Sequence, residues 1–325
     1  MVVPVRDEER TVGAALASLA RQTLGPSALE VLVYDGGSTD GTAEVCRAFA
    51  DAFPWGRFEV IANSGRTVPH ALNAGLVDGQ CNWFAVLAGR TELSPDYLEV
   101  CVRELERLGP AVGVGGRFVA DADGPLARSI AAVVTHPLGV GRGFRTEQVD
   151  GDVPHHPFAV WRRDDILAFG GFDTDLDRNQ DDEFSMRATR HGARIRLVAE
   201  AWIRYRPRER FRGLATQYFQ YGLWKSAVAL RHGLFPARSA VPALGVTALV
   251  GGAMLAATGR SVLPLAAWSS AYLVAGFAIA SHRGSNRVLT TAALAIVHVS
   301  YGSGVLVGAA RPALVTSPLA RTRIR

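Results

Sequence analysis

The sequence predicts an α/β domain with a mostly parallel sheet flanked by helices, followed by a C-terminal transmembrane helical region. Three observations carry this. Short apolar runs alternate with amphipathic stretches over residues 2–88. The second run, Val31-Leu32-Val33-Tyr34, ends in Asp35-Gly36-Gly37 and a Ser38-Thr39-Asp40 cluster, which reads as strand, tight turn and helix start. Over residues 239–310 almost every position is apolar or small.

Val2–Val5 reads as the first strand. Val12, Ala15, Leu16 and Leu19 form the apolar face of the first helix, with Asp7-Glu8-Glu9 at its start, where the macrodipole favours acids. Residues 29–34 are the second strand, and Val45, Cys46, Phe49 and Phe53 mark the next helix. A third strand at 58–62, a helix at 69–77 with His70 and Asn73, and a fourth strand at 83–88 follow. This βαβαβαβ order with short links implies a parallel sheet with helices on both faces. Ser94-Pro95-Asp96 starts a helix to about 108, residues 112–119 form a strand, and 129–140 a helix in a glycine-rich stretch. A helix opening at Asn179 runs to Arg190, and late strands are expected at 195–198 and 202–205. Phe211, Leu214, Tyr218, Tyr221 and Trp224 fall near helical spacing in a basic segment, an interfacial helix over about 211–231.

At 325 residues the chain can hold one large domain or two smaller ones. It divides into residues 1–235, about three hydrophobic membrane segments within 239–310, and a basic tail at 311–325. Its mildly positive mean hydropathy averages these regimes. The net charge of +5, nearly all from arginine since Lys225 is the one lysine, suits anionic lipid or a phosphorylated ligand. Scattered arginines without a binding motif argue against nucleic acid. Cys46, Cys81 and Cys101 show no CxxC spacing and read as buried thiols in a reducing compartment. No secretory signal pattern is read at Met1.

The apolar segments at 240–259, 262–281 and 288–310 each approach the ~20 residues that cross ~30 Å of hydrocarbon. Arg206, Arg208, Arg210, Arg212, Lys225, Arg231 and Arg238 precede the first, which predicts that residues 1–235 lie on the cytoplasmic side of the cell membrane. Arg283 and Arg287 also fit inside. Three full crossings would put Arg311, Arg321, Arg323 and Arg325 outside, so either one span re-enters or the tail is an exception.

Five motifs occur in order: Pro4-Val5-Arg6-Asp7-Glu8-Glu9, Tyr34-Asp35-Gly36-Gly37-Ser38-Thr39-Asp40, Ala71-Leu72-Asn73-Ala74-Gly75, Gly170-Gly171-Phe172-Asp173 and Asn179-Gln180-Asp181-Asp182-Glu183-Phe184. Over residues 2–232 the chain thereby resembles family 2 glycosyltransferases of GT-A fold, closest to the membrane-associated succinoglycan and exopolysaccharide glucosyltransferase-like members. The resemblance implies that Asp35 accepts a hydrogen bond from the uracil edge of a UDP-sugar, although an Asx turn is the local alternative. It places Pro4 and Glu8 at the nucleoside-binding edge. Asp181 takes the place of the catalytic base, with Asp182 the other candidate in the cluster. His155 and His156, just before the acceptor side, are either structural or in contact with phosphate or sugar.

The sequence departs from the family at the end of the fourth strand. Relatives carry Asp-x-Asp or Asp-x-His there, holding Mg²⁺ or Mn²⁺ on the diphosphate; this chain has Ala88-Gly89-Arg90, with Glu92 the nearest spare carboxylate. Arg90 is therefore expected to serve the diphosphate in place of metal. Gln217-Tyr218-Phe219-Gln220-Tyr221 stands where processive relatives carry Gln-x-x-Arg-Trp, which implies addition of a single sugar. The expected activity is inverting transfer from a nucleotide-sugar donor, UDP-linked, to a lipid-linked or glycan hydroxyl, in contact with membrane lipids. Transfer onto polyprenyl phosphate, and a non-catalytic nucleotide-sugar-binding protein, are the alternatives.

Overall fold

The computed structural model describes residues 1–313. In chain order the elements are β1 (Val2–Val5), α1 (Val12–Ala20), β2 (Glu30–Asp35), α2 (Thr42–Ala52), β3 (Arg57–Ala62), α3 (Val68–Asp78), β4 (Trp83–Phe84), β5 (Thr91–Leu93), α4 (Tyr97–Leu108) and β6 (Val112–Ala120). They continue with α5 (Gly124–Val134), α6 (Pro137–Val140), β7 (Gly151–Asp152), β8 (Val160–Arg162), α7 (Arg163–Ala168), α8 (Gln180–Arg190) and β9 (Arg194–Tyr205). The last four are α9 (Phe211–His232), α10 (Val241–Ala257), α11 (Leu263–Arg283) and α12 (Arg287–Ala310). Two compact units result. The first is Met1–Val119 with Gly143–Arg206; the second is Ala120–Arg142 with the chain from Pro207 on. The division is therefore not the linear one at residue 235, because α5, α6 and α9 pack with the apolar helices.

In the first unit β1, β2 and β3 form a parallel ladder, with Val5 opposite Asp35 and Asp35 opposite Ala62. Residues 85–87 extend it on the far side of β1. Val2 donates to the Ala85 carbonyl at 2.8 Å, and the Leu87 amide donates to Val2 at 3.0 Å. β2 is buried on both faces, which explains its unbroken apolar run. Val31 and Val33 join the core under α1 and α4. Leu32 and Tyr34 join the core that includes Leu72 and Leu76 of α3. The remaining strands run β4-β8-β6-β9-β5, with antiparallel pairing at β4/β8, β6/β8 and β5/β9. β5 has no signal in the sequence because it is three residues long. The two late strands are one continuous β9, since Ala199, Glu200 and Ala201 stay extended and Ala201 is buried. The helix expected at 129–140 is two, broken before Pro137. Cys46 and Cys101 are buried, but Cys81 lies exposed on the turn before β4.

The second unit is a helical bundle. Three of its helices are long and apolar enough to cross a membrane: Ala237–Ala257, Leu263–Arg283 and Arg287–Ala310. Val250, Met254, Val274, Phe277 and Val288 remain exposed on them, as a lipid-facing surface requires. Leu214 and Tyr218 of α9 are buried with Ala293, Leu294 and Val297 of α12. Small residues let α9 and α12 approach at backbone distance. A Cβ on Gly304 would lie 2.1 Å from the Phe219 carbonyl, and one on Gly222 would lie 2.0 Å from the Tyr301 carbonyl. Arg321, Arg323 and Arg325 fall outside the described residues.

Gly304→Val should therefore destabilise the detergent-solubilised protein by about 3 kcal/mol, because the obstructing atoms are backbone and cannot rotate away. Gly251→Ala, where nothing lies within 4 Å of the added carbon, should not. Thermal unfolding of the two variants side by side checks this; equal midpoints would contradict it.

Candidate active site

The parallel ladder delivers the loops after β1, β2 and β3 and the segment after residue 87 to one sheet edge, where open α/β sheets bind ligands. The loops after β1 and β2 are laced together. Asp7 donates its amide to Ser38 Oγ at 3.0 Å, and the Thr39 amide donates to Asp7 Oδ1 at 2.8 Å. The Glu8 amide donates to Thr42 Oγ1 at 2.8 Å, and the Glu9 amide to Asp40 Oδ2 at 3.2 Å. Asp7 adopts φ 52°, a left-handed conformation that these reciprocal bonds hold. Pro4 lies inside β1, opposite Tyr34.

Asp35 ends β2. Its Oδ1 accepts from the Ser38 amide at 2.9 Å and from Ser38 Oγ at 2.6 Å, three residues on, so the carboxylate braces the turn through one oxygen. Gly37, at φ 82°, brings the turn against the Arg66 side chain, where a Cβ would meet Nε at 3.6 Å. The sequence reading missed Arg66.

Glu8 and Arg90, 82 positions apart, meet in an ion pair: Arg90 Nε donates to Oε2 at 2.8 Å and to Oε1 at 3.1 Å. Thr11 Oγ1 also donates to Glu8 Oε2, at 2.8 Å. Glu92 points elsewhere, 3.7 Å from Arg204 and 3.9 Å from Arg21. A divalent cation needs several oxygen donors. Here Ala88 and Gly89 offer no carboxylate, and the Glu8 carboxylate is held by a guanidinium. Among the described residues no group of three or more His, Cys, Asp or Glu side chains is arranged to hold a metal. The residues present do not fit one.

Asp181 and Asp182 occupy the first turn of α8, after Asn179 in a left-handed conformation. Asp181 Oδ2 is 3.5 Å from His155 Nε2. His155 Nδ1 is 3.1 Å from Ser185 Oγ, which donates to the Asp181 carbonyl at 2.8 Å. Glu183, by contrast, is fully buried and bonds Arg187 at 2.7 and 3.0 Å. Arg187 also donates to Gly171 O at 2.7 Å and to Phe169 O. Asn73 closes the other side of this turn, donating to Phe172 O at 2.8 Å and accepting from its amide at 2.9 Å. Two motifs thus serve each other: Asn73 of α3 clamps the glycine turn that carries the chain towards α8. An Asn amid Ala, Leu and Gly in a helix, and Glu183 with Arg187 at i,i+4 spacing, are the signals that could have found these contacts.

His156 is structural. It is buried over β6, where a Cβ on Gly115 would lie 2.4 Å from the ring. The Gly116 carbonyl accepts from Nε2 at 2.8 Å and Nδ1 accepts from the Phe158 amide at 3.3 Å, a pair of bonds that requires the neutral imidazole. Burial lowers its pKa from 6.5 to about 4. The unfolded chain then binds a proton near pH 6.5 that the folded one refuses until about pH 4, so stability falls as pH drops through that window, by roughly 3 kcal/mol at most. His156→Gln should flatten the unfolding midpoint between pH 6.5 and 4 relative to the parent chain; an unchanged slope would place the titration elsewhere.

With this geometry in view, comparison with known proteins assigns the class. The model of glycosyl transferase family 2 matches residues 1–167, more than half the chain, and the chain belongs to that family. The succinoglycan biosynthesis protein ExoA of Rhizobium meliloti (strain 1021) is 28% identical over 310 residues, 94% of this chain and 92% of that protein. A Methanococcus voltae glucuronosyltransferase that acts on a dolichyl N-acetyl-alpha-D-glucosaminyl phosphate is 22% identical over 72% of this chain and 74% of its own. Among solved structures, the mannosyltransferase PcManGT from Pyrobaculum calidifontis, bound to GDP-Man and Mn²⁺, matches with a TM-score of 0.60 at 21% identity, over 93% of this chain and 85% of its own. At that identity the likeness speaks to the fold, which is GT-A. The chain is a glycosyltransferase, related to enzymes of polysaccharide biosynthesis and carrying helices long and apolar enough to span a membrane.

Proposed function

We propose that the protein transfers one sugar, with inversion, from a UDP-sugar to a hydroxyl of a lipid-linked or glycan acceptor at the cytoplasmic face of the cell membrane. The observation that carries this reading is the placement of Asp181 on the first turn of α8, backed by His155 at 3.5 Å. In the proposed reaction Asp35 accepts from the uracil edge through its outer oxygen, and Pro4 and Glu8 border the nucleoside. The acceptor oxygen attacks the anomeric carbon from the face opposite the diphosphate. Asp181 takes its proton, the carbon–oxygen bond to the diphosphate breaks, and UDP leaves with the electron pair. Asp182, one position on, is the reserve base. Arg90 turns from Glu8 to the diphosphate, whose charge and geometry a guanidinium matches.

The membrane-length helices support a lipid-linked acceptor, because confinement to two dimensions raises encounter with it. The arginines before the first span support a cytoplasmic catalytic unit. Transfer onto polyprenyl phosphate would need little base help, since that acceptor is already ionised.

Asp181→Asn should lower transfer by about 10²–10⁴-fold while UDP-sugar affinity stays within about threefold. A variant that keeps turning over would move the base to Asp182 or favour the phosphate acceptor. Transfer on washed membranes should also persist in EDTA, read by UDP release and by radiolabel in extracted lipid; complete loss restored by Mn²⁺ would remove Arg90 from its role.

A further inference from the structure

An aromatic wall joins the two ends of this site. Tyr205, the last residue of β9, lies opposite Thr91, the residue after Arg90. Its ring is 5.4 Å from Phe118, which is 5.8 Å from Phe144 in edge contact. Phe144 in turn lies 5.3 Å from His155, the residue set against Asp181. One guanidinium rests on this wall. The carbon of Arg145 stands 5.5 Å from the Phe118 centroid, 5.4 Å from Phe144 and 5.8 Å from Tyr205. A tight turn presents it: the Thr146 and Glu147 amides both donate to the Gly143 carbonyl, and the Gly143 amide donates to Thr146 Oγ1.

We infer that Arg145 is a second ligand of the donor diphosphate, beside Arg90 and on the side towards Asp181. The inference rests on the proposed function. A departing nucleoside diphosphate gains charge as the glycosidic bond breaks, and something positive must meet it. Arg90 supplies a single positive charge and must first leave Glu8. Arg145 stacks on rings whose ends are Tyr205, paired with the residue after Arg90, and Phe144, beside the His155 that backs Asp181. Aromatic faces hold a guanidinium by its plane, so the wall fixes where the Arg145 charge stands. A purely structural plug of the same rings is the competing role, and it predicts no effect on ligand charge.

The test is titration calorimetry of the full-length protein in detergent with uridine and with UDP, comparing the parent chain, Arg145→Ala and Arg145→Lys. Arg145→Ala should weaken UDP at least tenfold and leave uridine within twofold. Arg145→Lys, which keeps the charge and the ring contact, should fall between the two and guards against misfolding of the Ala variant. UDP affinity unchanged in both variants while uridine still binds overturns the inference and leaves the functional reading standing. A raised acceptor KM with unchanged UDP affinity overturns it in favour of an acceptor phosphate. A parent chain that binds neither uridine nor UDP fails the functional reading, and the inference with it.

Discussion

The register of the parallel ladder is the constraint on which the rest depends. Val5, Asp35 and Ala62 sit side by side because β1, β2 and β3 are in step, and Leu87 is locked to Val2 on the outer side. Four chain segments therefore leave the sheet at one edge. A one-residue slip of β2 would send Val31 and Val33 to the wrong face and move Asp35 off that edge. Both faces are buried, so the hydrophobic free energy of two cores resists such a slip. The packing of α3 adds to this, since Gly75 lets the helix sit against Val2, where a Cβ would be 2.3 Å from its methyl group.

The Glu8–Arg90 pair belongs to a different energy scale. Arg90 keeps 42% of its side-chain surface exposed, and exposed ion pairs contribute about 1 kcal/mol or less. It can be exchanged for a diphosphate without unsettling the fold. The Glu183–Arg187 pair is the opposite case: Glu183 is fully buried and Arg187 also holds two carbonyls of the turn before α8. Removing either partner would strand a buried charge, a loss of about 3–5 kcal/mol. Two ion pairs with similar geometry thus have different work, one exchangeable at the rim and one fixed beneath it.

Much of this was legible in the sequence, and the limits have physical causes. Alternating apolar runs and amphipathic stretches gave β1, α1, β2, α2, β3, α3 and α4. Asp35, Glu8, Arg90 and Asp181 stood out because a turn chemistry or a charge surrounds each. β5 was too short to carry a period, and β9 read as two strands because Glu200 interrupts its apolar pattern while the backbone continues. Asn73 stood out as a polar residue in an apolar helix, but its partner did not: the backbone of Phe172 is 99 positions away and carries no side-chain signature. Arg145 was hidden in the same way, since Phe118, Phe144 and Tyr205 are brought together only by the fold.

Charge distribution explains why local arginines matter. Up to Glu209 the chain carries 23 arginines against 30 acids, a net −7, and beyond it 12 basic residues and no acid, which together give the overall +5. The positive excess that suggests a phosphorylated ligand therefore lies entirely in the membrane-associated half, where it suits anionic lipid. In the proposed reaction, residues 1–209 would bind an anionic donor against their own net charge. Long-range steering cannot supply the attraction, since screening at physiological salt limits it to about 8 Å. On the proposed reading the attraction would come from a few guanidinium groups: Arg66 beside the Asp35 turn, Arg90 after the fourth parallel segment, and Arg145 over the rings of Phe118, Phe144 and Tyr205.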